Sequence, residues 1–561
     1  MYYTMIVAAP GQNHIYRLKL HSARCTYHIR ANEIYSSLTN SPAIICNMDS
    51  MSAARLQERQ RSFMSGSGLE EQTRRREQFS VDLRKQKRLE QTCKRRRLAA
   101  SNGQALPDLS DLLQQTFPDL LNPAYSDLEK LRKLRDFLEP SQSPEQVLKA
   151  VSVIRIAVTA SSSPPVDLAI QAGLASPLLR LIQSGSLDIM REASWAVCNL
   201  LSGSHDCTAE ILSSGGLQIL VSLLETEDAL LREHAVWSLG NIAGDCPEYR
   251  KMVLEAGALW KIMKIGREQL GENGRIDLLR VIIWAVYCML SGKSEPAEQL
   301  LGLLPDIQAF CALEDVSLRK DLLWILAYLT DTGEKLCAGV MHHDLGKFAI
   351  ETLQANEASY YMPAVRILGN VVAGDHSLTQ MIMELGLLDV LLPLVQCREY
   401  SVRKEVQWTL SNVTAGTAEQ RQLFISHSIA REALIGFQDP VEAVRLETSW
   451  VYHNLVSAGS RAQSLYLFDL GIFPLLKDRF QDDPRLVRNL LVIIYKVLDA
   501  GWLQSQLTGS PNNPVTEQFV ASECYMALEN LMQANVDENS GFALELLDTF
   551  FGVEEESNRF D

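Results

Sequence analysis

The chain has 561 residues, of which 47% are hydrophobic, and its formal net charge is −15. One compact core rarely grows beyond about 300 residues, so this length predicts several domains or an elongated repeat array. The 11 cysteines are scattered without a CxxC pair or a Cys/His cluster at zinc spacing, which indicates reduced thiols and excludes a recognisable metal site. No apolar run approaches the roughly 18 residues that a bilayer span requires, and no membrane contact is predicted.

The N-terminal part divides into an extension and a basic segment. Residues 1–47 lack the order of basic, apolar and small residues of a signal peptide, so we expect a disordered extension. Residues 55–97 hold 14 Lys/Arg and 6 Asp/Glu, whereas residues 98–561 hold 35 and 60. A basic tail on an acidic body predicts that the tail is a solvated arm or binds either nucleic acid or an acidic protein. Few aromatic side chains are available to stack on bases, which disfavours direct nucleic-acid binding.

A repeat follows the basic segment. A charged residue, an apolar stretch and a Trp recur, often with an Asn four residues after the Trp, at steps of 42, 47, 40, 42, 42 and 42 residues. Such a period with helical patterning is typical of armadillo and HEAT repeats. The anchors of the pattern are Trp195, Trp237, Trp284, Trp324, Arg366, Trp408 and Trp450.

A second marker keeps the same step. A Gly or Ser precedes an apolar run in each unit, where a turn with a left-handed backbone would end one helix. These markers are Gly173, Gly216, Gly257, Gly302, Gly346, Gly386, Ser428 and Gly471. We therefore divide the chain into an extension (1–47), a basic segment (48–104), the repeats (105–505) and a last repeat-like unit with an acidic tail (506–561).

The Trp and Asn of each unit lie on one helix face, because residues four apart are neighbours on a helix. Large aromatic residues at helical spacing are often core, but an amide repeated four residues away does not suit a core. On an outward-facing wall, Asn side chains can bond both the N–H and the C=O groups of an extended peptide. Indole faces can hold Lys and Arg stems and attract their cationic heads by about 0.5–2 kcal/mol each. Carboxylates close to the Trp row, which would select for charge, are Glu192, Asp245, Asp321, Asp331, Glu405 and Glu447.

The sequence of these repeats resembles that of the importin-α (karyopherin-α) family. REHAVWSLGNIAGDCPEYRKMVLEAGAL (232–259) is similar to the family's third armadillo repeat and RKEVQWTLSNVTAGTAEQ (403–420) to its seventh. The family's exchange of Arg for Trp in the sixth repeat is present as Arg366 with Asn370. The resemblance implies an all-α fold, a right-handed superhelical solenoid of about ten armadillo repeats, preceded by a basic helical segment.

The resemblance also implies two sites for basic nuclear-localisation peptides. Gly203, Thr208 and Asp245 match the pocket for the key lysine. The major site would comprise Trp195, Asn199, Gly203, Thr208, Trp237, Asn241, Asp245, Trp284 and Asp321. The minor site would comprise Asn370, Glu405, Trp408, Asn412, Glu447, Trp450 and Asn454.

The basic segment resembles the family's importin-β-binding domain. It implies importin-β and basic cargo proteins as partners, shuttling between cytoplasm and nucleus, and occupation of the chain's own groove by residues 94–97 when importin-β is absent. Binding of an export receptor is left open. The residues concerned are Arg74, Arg75, Arg76, Arg84, Lys85, Lys87, Arg88, Lys94, Arg95, Arg96 and Arg97.

Three residues depart from the family pattern. Cys288 stands where the family has Asn, and His234 and Val281 replace polar groove residues. These departures indicate a divergent member, similar to the branch called transmembrane and coiled-coil domain-containing proteins. They also keep open an armadillo scaffold that no longer carries nuclear cargo. No catalytic motif is complete, since Tyr287 stands where a phosphate loop ending at residues 292–294 needs Gly, so we predict no enzyme and no cofactor.

Overall fold

The computed structural model describes residues 2–9, 12–19, 109–160, 164–271, 274–292, 297–509, 513–534 and 538–551. Two units are distinguished, one containing residues 1–71 and 509–512 and the other containing the rest of the chain. In the first, the strands Tyr2–Ala9 (β1) and Gln12–Lys19 (β2) pair antiparallel, with Tyr2 opposite Lys19 and Ala9 opposite Gln12. The sequence did not predict this hairpin, because residues 1–47 were expected to form a disordered extension. The predicted basic segment, residues 48–104, lies outside the described residues.

The second unit is helical throughout its described part, as the period predicts. Ten long helices recur at the repeat spacing, and each contacts the next along the array. The predicted fold class, an all-α armadillo-repeat solenoid of about ten units, is thereby confirmed. The long helices are α3 Pro144–Ala160, α6 Leu187–Leu200, α9 Ala229–Ala243, α12 Ile276–Leu290, α15 Val316–Thr332, α18 Ala358–Val372, α21 Tyr400–Thr414, α24 Glu442–Ser457, α27 Pro484–Thr508 and α30 Glu538–Phe551.

Shorter helices connect the long ones and cover their apolar faces. The α-helices are α1 Leu109–Thr116, α2 Asp127–Asp136, α4 Val166–Gln171, α5 Ala175–Ile182, α7 His205–Ser213, α8 Gly216–Leu223, α10 Pro247–Glu255, α11 Ala258–Glu268, α13 Ala297–Leu300, α14 Leu304–Cys311, α16 Glu334–His342, α17 Leu345–Gln354, α19 His376–Glu384, α20 Leu387–Leu391, α22 Ala418–Ser426, α23 Ile429–Glu432, α25 Arg461–Asp469, α26 Phe473–Leu476, α28 Pro514–Ala521 and α29 Cys524–Ala534. Short 3₁₀ turns occupy Pro118–Leu121, Leu301–Leu303, Leu392–Leu394 and Ala433–Gln438.

The glycine marker is confirmed in half of the units. The backbone φ lies between 72° and 92° at Gly173, Gly257, Gly386 and Gly471. This is the left-handed region that commonly ends a helix, and it costs little conformational free energy at Gly. In the second unit Gly215, not Gly216, takes this conformation. In the fifth unit Asp344 takes it with φ 57°, while Gly346 lies inside α17.

Ion pairs connect successive units along the starts of the long helices. Arg191 of α6 donates to Asp228, whose carboxylate also accepts from the backbone N–H of Leu231 and so caps α9. The hydrogen bond from Arg191 holds the pKa of Asp228 below its usual value. Equivalent pairs are Arg280–Asp315, Arg403–Asp439 and Arg445–Asp482. Asp228 and Asp315 are the N-caps of α9 and α15, so in these two pairs the arginine also orients the cap of the following long helix.

Within the described residues no single helix is long and apolar enough to cross a bilayer. Only the pair His376–Glu384 and Leu387–Leu394 reaches that length and hydropathy when joined, and its halves are bent by 73°.

Candidate functional site

The predicted anchors all lie on the long helices, one in each of α6, α9, α12, α15, α18, α21 and α24. Two neighbouring anchors are in ring contact: the centroids of Trp237 and Trp284 are 5.3 Å apart with their planes tilted by 45°. The repeat therefore brings the anchors into one row across adjacent helices, as the spacing predicts.

Glycine makes this close approach possible. Gly240 of α9 lies one position before Asn241, and a Cβ atom built on it would be 2.7 Å from the ring of Trp284. Gly369 of α18 holds the corresponding place beneath Trp408, where a Cβ atom would also clash. Because these helices lack a side chain at that point, the next indole lies directly against their backbone.

The exposure of the indoles differs from the expected outward-facing row. Only Trp195 and Trp450 are half-buried. Trp237, Trp284, Trp324 and Trp408 have 8%, 3%, 6% and 9% of their surface exposed. Contact with the adjacent long helix accounts for part of this enclosure at Trp284 and Trp408. Sequence spacing indicates a shared face but not how deeply each ring is packed against its neighbour.

Four of the five predicted Asn side chains donate a hydrogen bond to the preceding long helix. The Nδ2 of Asn199 donates to the Thr159 hydroxyl at 2.5 Å and that of Asn241 to the Cys198 carbonyl at 3.4 Å. Asn370 donates to the Ala327 carbonyl at 3.2 Å, and Asn454 to the Ser411 carbonyl at 2.9 Å. In these four residues the donor half of the amide stabilises the fold, and the acceptor half is the one suited to a ligand. The sequence prediction assigned both halves to a peptide.

Two amide atoms in the row have no hydrogen-bond partner among the described residues. They are the Oδ1 of Asn241, a residue only 1% exposed, and the Nδ2 of the half-buried Asn412. A buried amide oxygen without a partner costs about 1–3 kcal/mol. Asn241 would recover this free energy by accepting an N–H group from an extended chain.

Gly203, Thr208 and Asp245, predicted to form one pocket, lie close together. The Thr208 hydroxyl donates to Asp245 Oδ2 at 2.7 Å, and the Asp245 side chain is 7% exposed. A Cβ atom at Gly203 would be 2.9 Å from Val166 and 3.0 Å from Cys207, so a larger residue there would require these side chains to shift. The result is a buried carboxylate oriented by a hydroxyl next to a backbone without a side chain.

His205, which the sequence analysis missed, occupies this pocket too. Its Nδ1 lies 2.9 Å from Asp245 Oδ1, and its ring stacks on Tyr249 with a centroid distance of 5.0 Å and an interplanar angle of 6°. The hydrogen bond to Asp245, and then its charge, raise the pKa of His205. Cys246 is adjacent, and the donor atoms of His205, Asp245 and Cys246 lie within 4.8 Å of one another. Since imidazole and carboxylate already bond each other directly, we assign no metal to this cluster.

Two of the predicted acidic residues are paired with arginines of the same chain. Arg366 Nη2 lies 2.6 Å from Glu405 Oε1, and both side chains are at most 10% exposed. Arg155 lies 2.6 Å from Glu192 and places its guanidinium 5.3 Å from the centroid of Trp195. The carboxylates Asp321 and Glu447 are buried, at 5% and 7% exposure. Nothing in the spacing of the Trp row predicts Arg155, because its partners lie about 40 residues away.

The Asn ladder is interrupted between α9 and α18. Cys288 of α12 is 6% exposed, and its backbone carbonyl accepts from Arg250 at 3.0 Å. At α15 the equivalent position is Tyr328, whose ring contacts Trp324 and Tyr287 at centroid distances of 6.1 Å and 5.9 Å. Two successive helices therefore offer a thiol and an aromatic cluster in place of amides.

His234 of α9 is accommodated against the preceding long helix α6. Its Nδ1 is 2.8 Å from the Ser194 hydroxyl, and its ring meets Trp195 edge-on at 5.2 Å. The imidazole, 1% exposed, supports the Trp195 ring from the neighbouring helix. The substitution thus adds packing against the half-buried Trp195.

Comparisons with known proteins agree with this architecture. Residues 162–202, 204–244 and 375–415 match the armadillo/β-catenin-like repeat, and residues 59–151 match the importin β binding domain. The chain is 30% identical over 435 residues to importin subunit alpha-1b of Oryza sativa subsp. japonica, covering 76% of this chain and 80% of that protein. It is 30% identical over 509 residues to importin subunit alpha-4 of Arabidopsis thaliana, covering 90% and 93%. The crystal structure of an engineered protein shares the fold with a TM-score of 0.65 at 19% identity, covering 76% of this chain and 99% of that one.

Proposed function

We propose that this chain, which belongs to the importin-α family, is a nuclear import adaptor that binds basic nuclear-localisation peptides along its Trp/Asn row and links them to importin-β. The Asn ladder is the observation that carries the proposal. Asn199, Asn241, Asn370 and Asn454 each donate Nδ2 to the preceding long helix, which fixes the amide plane. Such preorganised acceptors suit the backbone N–H groups of an extended chain, whatever its side chains.

Specificity for a basic side chain would come from Asp245. Its carboxylate is 7% exposed and is held by Thr208, so an ammonium group entering beside Gly203 would meet a charge largely shielded from water. Charge-assisted hydrogen bonds in such surroundings are about twice as strong as neutral ones. A lysine with a straight stem reaches this position more readily than a branched or short side chain would.

The link to importin-β rests on residues 59–151, which match the domain named for that partner. The segment 55–97 carries 14 Lys/Arg, and an acidic partner would be attracted to it over a Debye length of about 10 Å at moderate ionic strength. We expect importin-β to bind a fusion carrying residues 48–104. A variant in which residues 94–97 are all Ala should bind more weakly.

The peptide-binding proposal is tested by titrating a fluorescent peptide with a Lys-Lys-Lys-Arg core. Trp237→Ala, Asn241→Ala and Trp408→Ala should each raise Kd about tenfold, the equivalent of about 1.4 kcal/mol. Trp260→Ala is the matched control, because Trp260 lies on α11 and is 41% exposed. Circular dichroism of each variant checks folding. Binding that is unchanged in the three groove variants contradicts the proposal.

A second candidate function is an armadillo scaffold without nuclear cargo. The interruption at Cys288 and the Arg366–Glu405 ion pair favour it, because both remove groups that a cationic peptide would use. A scaffold would bind its partner without dependence on Asp245. Asp245→Asn preserves shape and removes charge, so a partner protein whose affinity ignores this variant identifies the scaffold function.

We propose further that the chain shuttles between cytoplasm and nucleus and that an export receptor returns it to the cytoplasm. We also propose that it belongs to the divergent branch called transmembrane and coiled-coil domain-containing proteins. Cys288 and His234, which depart from the family pattern, support a divergent member. A fluorescent fusion that accumulates in the nucleus when export is blocked would support shuttling. A fusion that stays outside the nucleus under export block would contradict it.

A further inference from the structure

His205 stands between solvent and the carboxylate of Asp245. It begins α7, two residues after Gly203, and its side chain is 57% exposed, while the Asp245 side chain beneath it is 7% exposed. The ring is held by stacking on Tyr249 of α10 and by its hydrogen bond to Asp245 Oδ1. Thr208 occupies the other carboxylate oxygen, so Oδ1 is the oxygen for which a ligand must compete with His205.

We propose that His205 is a specificity-determining residue that competes with the lysine of a basic peptide for Asp245, so that peptide binding is coupled to release of a proton. This inference rests on the proposed function, because it requires Asp245 to receive the lysine. A peptide ammonium and a protonated imidazole are alternative cations for one carboxylate. A peptide therefore binds most readily to the state in which the imidazole is neutral and can turn away.

The surroundings of His205 favour its charged form. The residues that face His205 from α7, from the loop after α9 and from α10 are anionic or neutral. They are Asp206, Asp245, Cys246, Glu248 and Tyr249. Asp167 adds a further carboxylate nearby, and its Oδ1 accepts from the hydroxyl of Ser204 at 2.6 Å. The hydrogen bond to Asp245 raises the pKa of His205 above its ordinary value, so the imidazolium is favoured more than in a free histidine.

The coupling has a definite sign. Lysine has an ordinary pKa of about 10.4 and keeps its charge throughout the range in which His205 titrates. Below the pKa of His205 a bound lysine must displace an imidazolium, whereas above it only a neutral hydrogen bond is lost. Affinity for a lysine-containing peptide should therefore rise with pH, at most tenfold per pH unit if one proton is released.

The test measures Kd of the Lys-Lys-Lys-Arg peptide between pH 5.5 and 8.5 at constant ionic strength, with a metal chelator present. In the full chain we expect Kd to fall about five- to tenfold between pH 6 and pH 8. His205→Ser should bind more tightly at pH 6 and lose most of this dependence. His342→Ser, on the exposed side of α16, should keep it. The NMR titration of the His205 ring should move to lower pH when peptide is added.

The outcomes separate this inference from the function on which it rests. If the peptide binds, if Asp245→Asn weakens it, and if His205→Ser leaves the pH profile unchanged, the competition is overturned and the adaptor function survives. If the peptide does not bind to the wild type or to His205→Ser at any pH, the proposed function itself fails. A pH dependence that His342→Ser also removes would likewise overturn the role of His205.

Discussion

The indole of Trp284 lies against the backbone of Gly240 on the preceding long helix, and a Cβ atom there would come within 2.7 Å of the ring and 3.1 Å of Ala285. Gly240 and Asn241 are consecutive, so the contact that seats the indole also positions the amide beside it. The spacing of helix α9 from helix α12 is therefore set at the point where a peptide is proposed to bind.

Gly240→Ala should destabilise the array, because neither a tryptophan ring nor a backbone can yield by the several tenths of an ångström required. Overpacking of this kind costs about 1–3 kcal/mol. Urea unfolding followed by tryptophan fluorescence should show a lower midpoint. Gly541→Ala is the matched control: Gly541 lies in α30 with nothing within 4 Å of an added Cβ, and Ala there should be neutral or slightly stabilising. Equal midpoints for Gly240→Ala and the wild type would contradict the packing argument.

The fold was predictable because its two signals are local. The Trp-to-Asn spacing of four residues is a property of a single helix, and the step of about 42 residues can be read directly along the chain. The ten long helices of the described residues occur where that step places them. The site was predictable only in part. Gly203, Thr208 and Asp245 do lie together, but His205 over Asp245, and Arg155 beside Glu192, arise from side-chain contacts across 37 to 40 residues. The burial of Trp284 likewise depends on the absence of a side chain at Gly240 in another helix.

The buried pair of Arg366 and Glu405 offers a stability prediction. Arg366→Met should lower stability by about 3 kcal/mol or more, because it leaves a carboxylate in a site only 7% exposed after its nearest cation is removed. Arg366→Met combined with Glu405→Leu should recover most of the loss. Amide hydrogen exchange in α18 and α21 measures the loss of stability in the single variant and its recovery in the double variant. Glu298→Gln provides the comparison, since the Lys335–Glu298 pair is more than 60% exposed and solvent screens it, so its loss should change stability far less. Equal effects of the two single variants would contradict this account.

His453 on α24 predicts an acid-sensitive region. It meets Trp450 edge-on at 5.0 Å, and burial lowers its pKa to about 4. An unfolded chain keeps a pKa near 6.5, so between these values the unfolded state binds a proton that the folded state does not. Stability should therefore fall as pH decreases from 6.5 to 4, by about 3 kcal/mol from this group. His453→Gln should flatten the pH dependence of the urea midpoint in this window, whereas the exposed His376→Gln should not. A parallel decline in all three proteins would exclude His453 as the cause.

Removal of residues 55–98 should strengthen binding of a basic peptide. That segment lies outside the described residues, and the prediction rests on charge: 14 Lys/Arg occur in residues 55–97 on the same chain as a body with 60 Asp/Glu and 35 Lys/Arg. A tethered competitor acts at an effective concentration in the millimolar range, so its loss should lower the apparent Kd about tenfold or more. Deletion of residues 1–47 controls for shortening and should leave Kd unchanged. The increase in peptide affinity on deletion should shrink as salt is added, because screening weakens the binding of the tethered segment that the deletion removes. An unchanged Kd after removal of residues 55–98 would show that the basic segment does not occupy the groove, and importin-β binding could not then be coupled to cargo affinity through it.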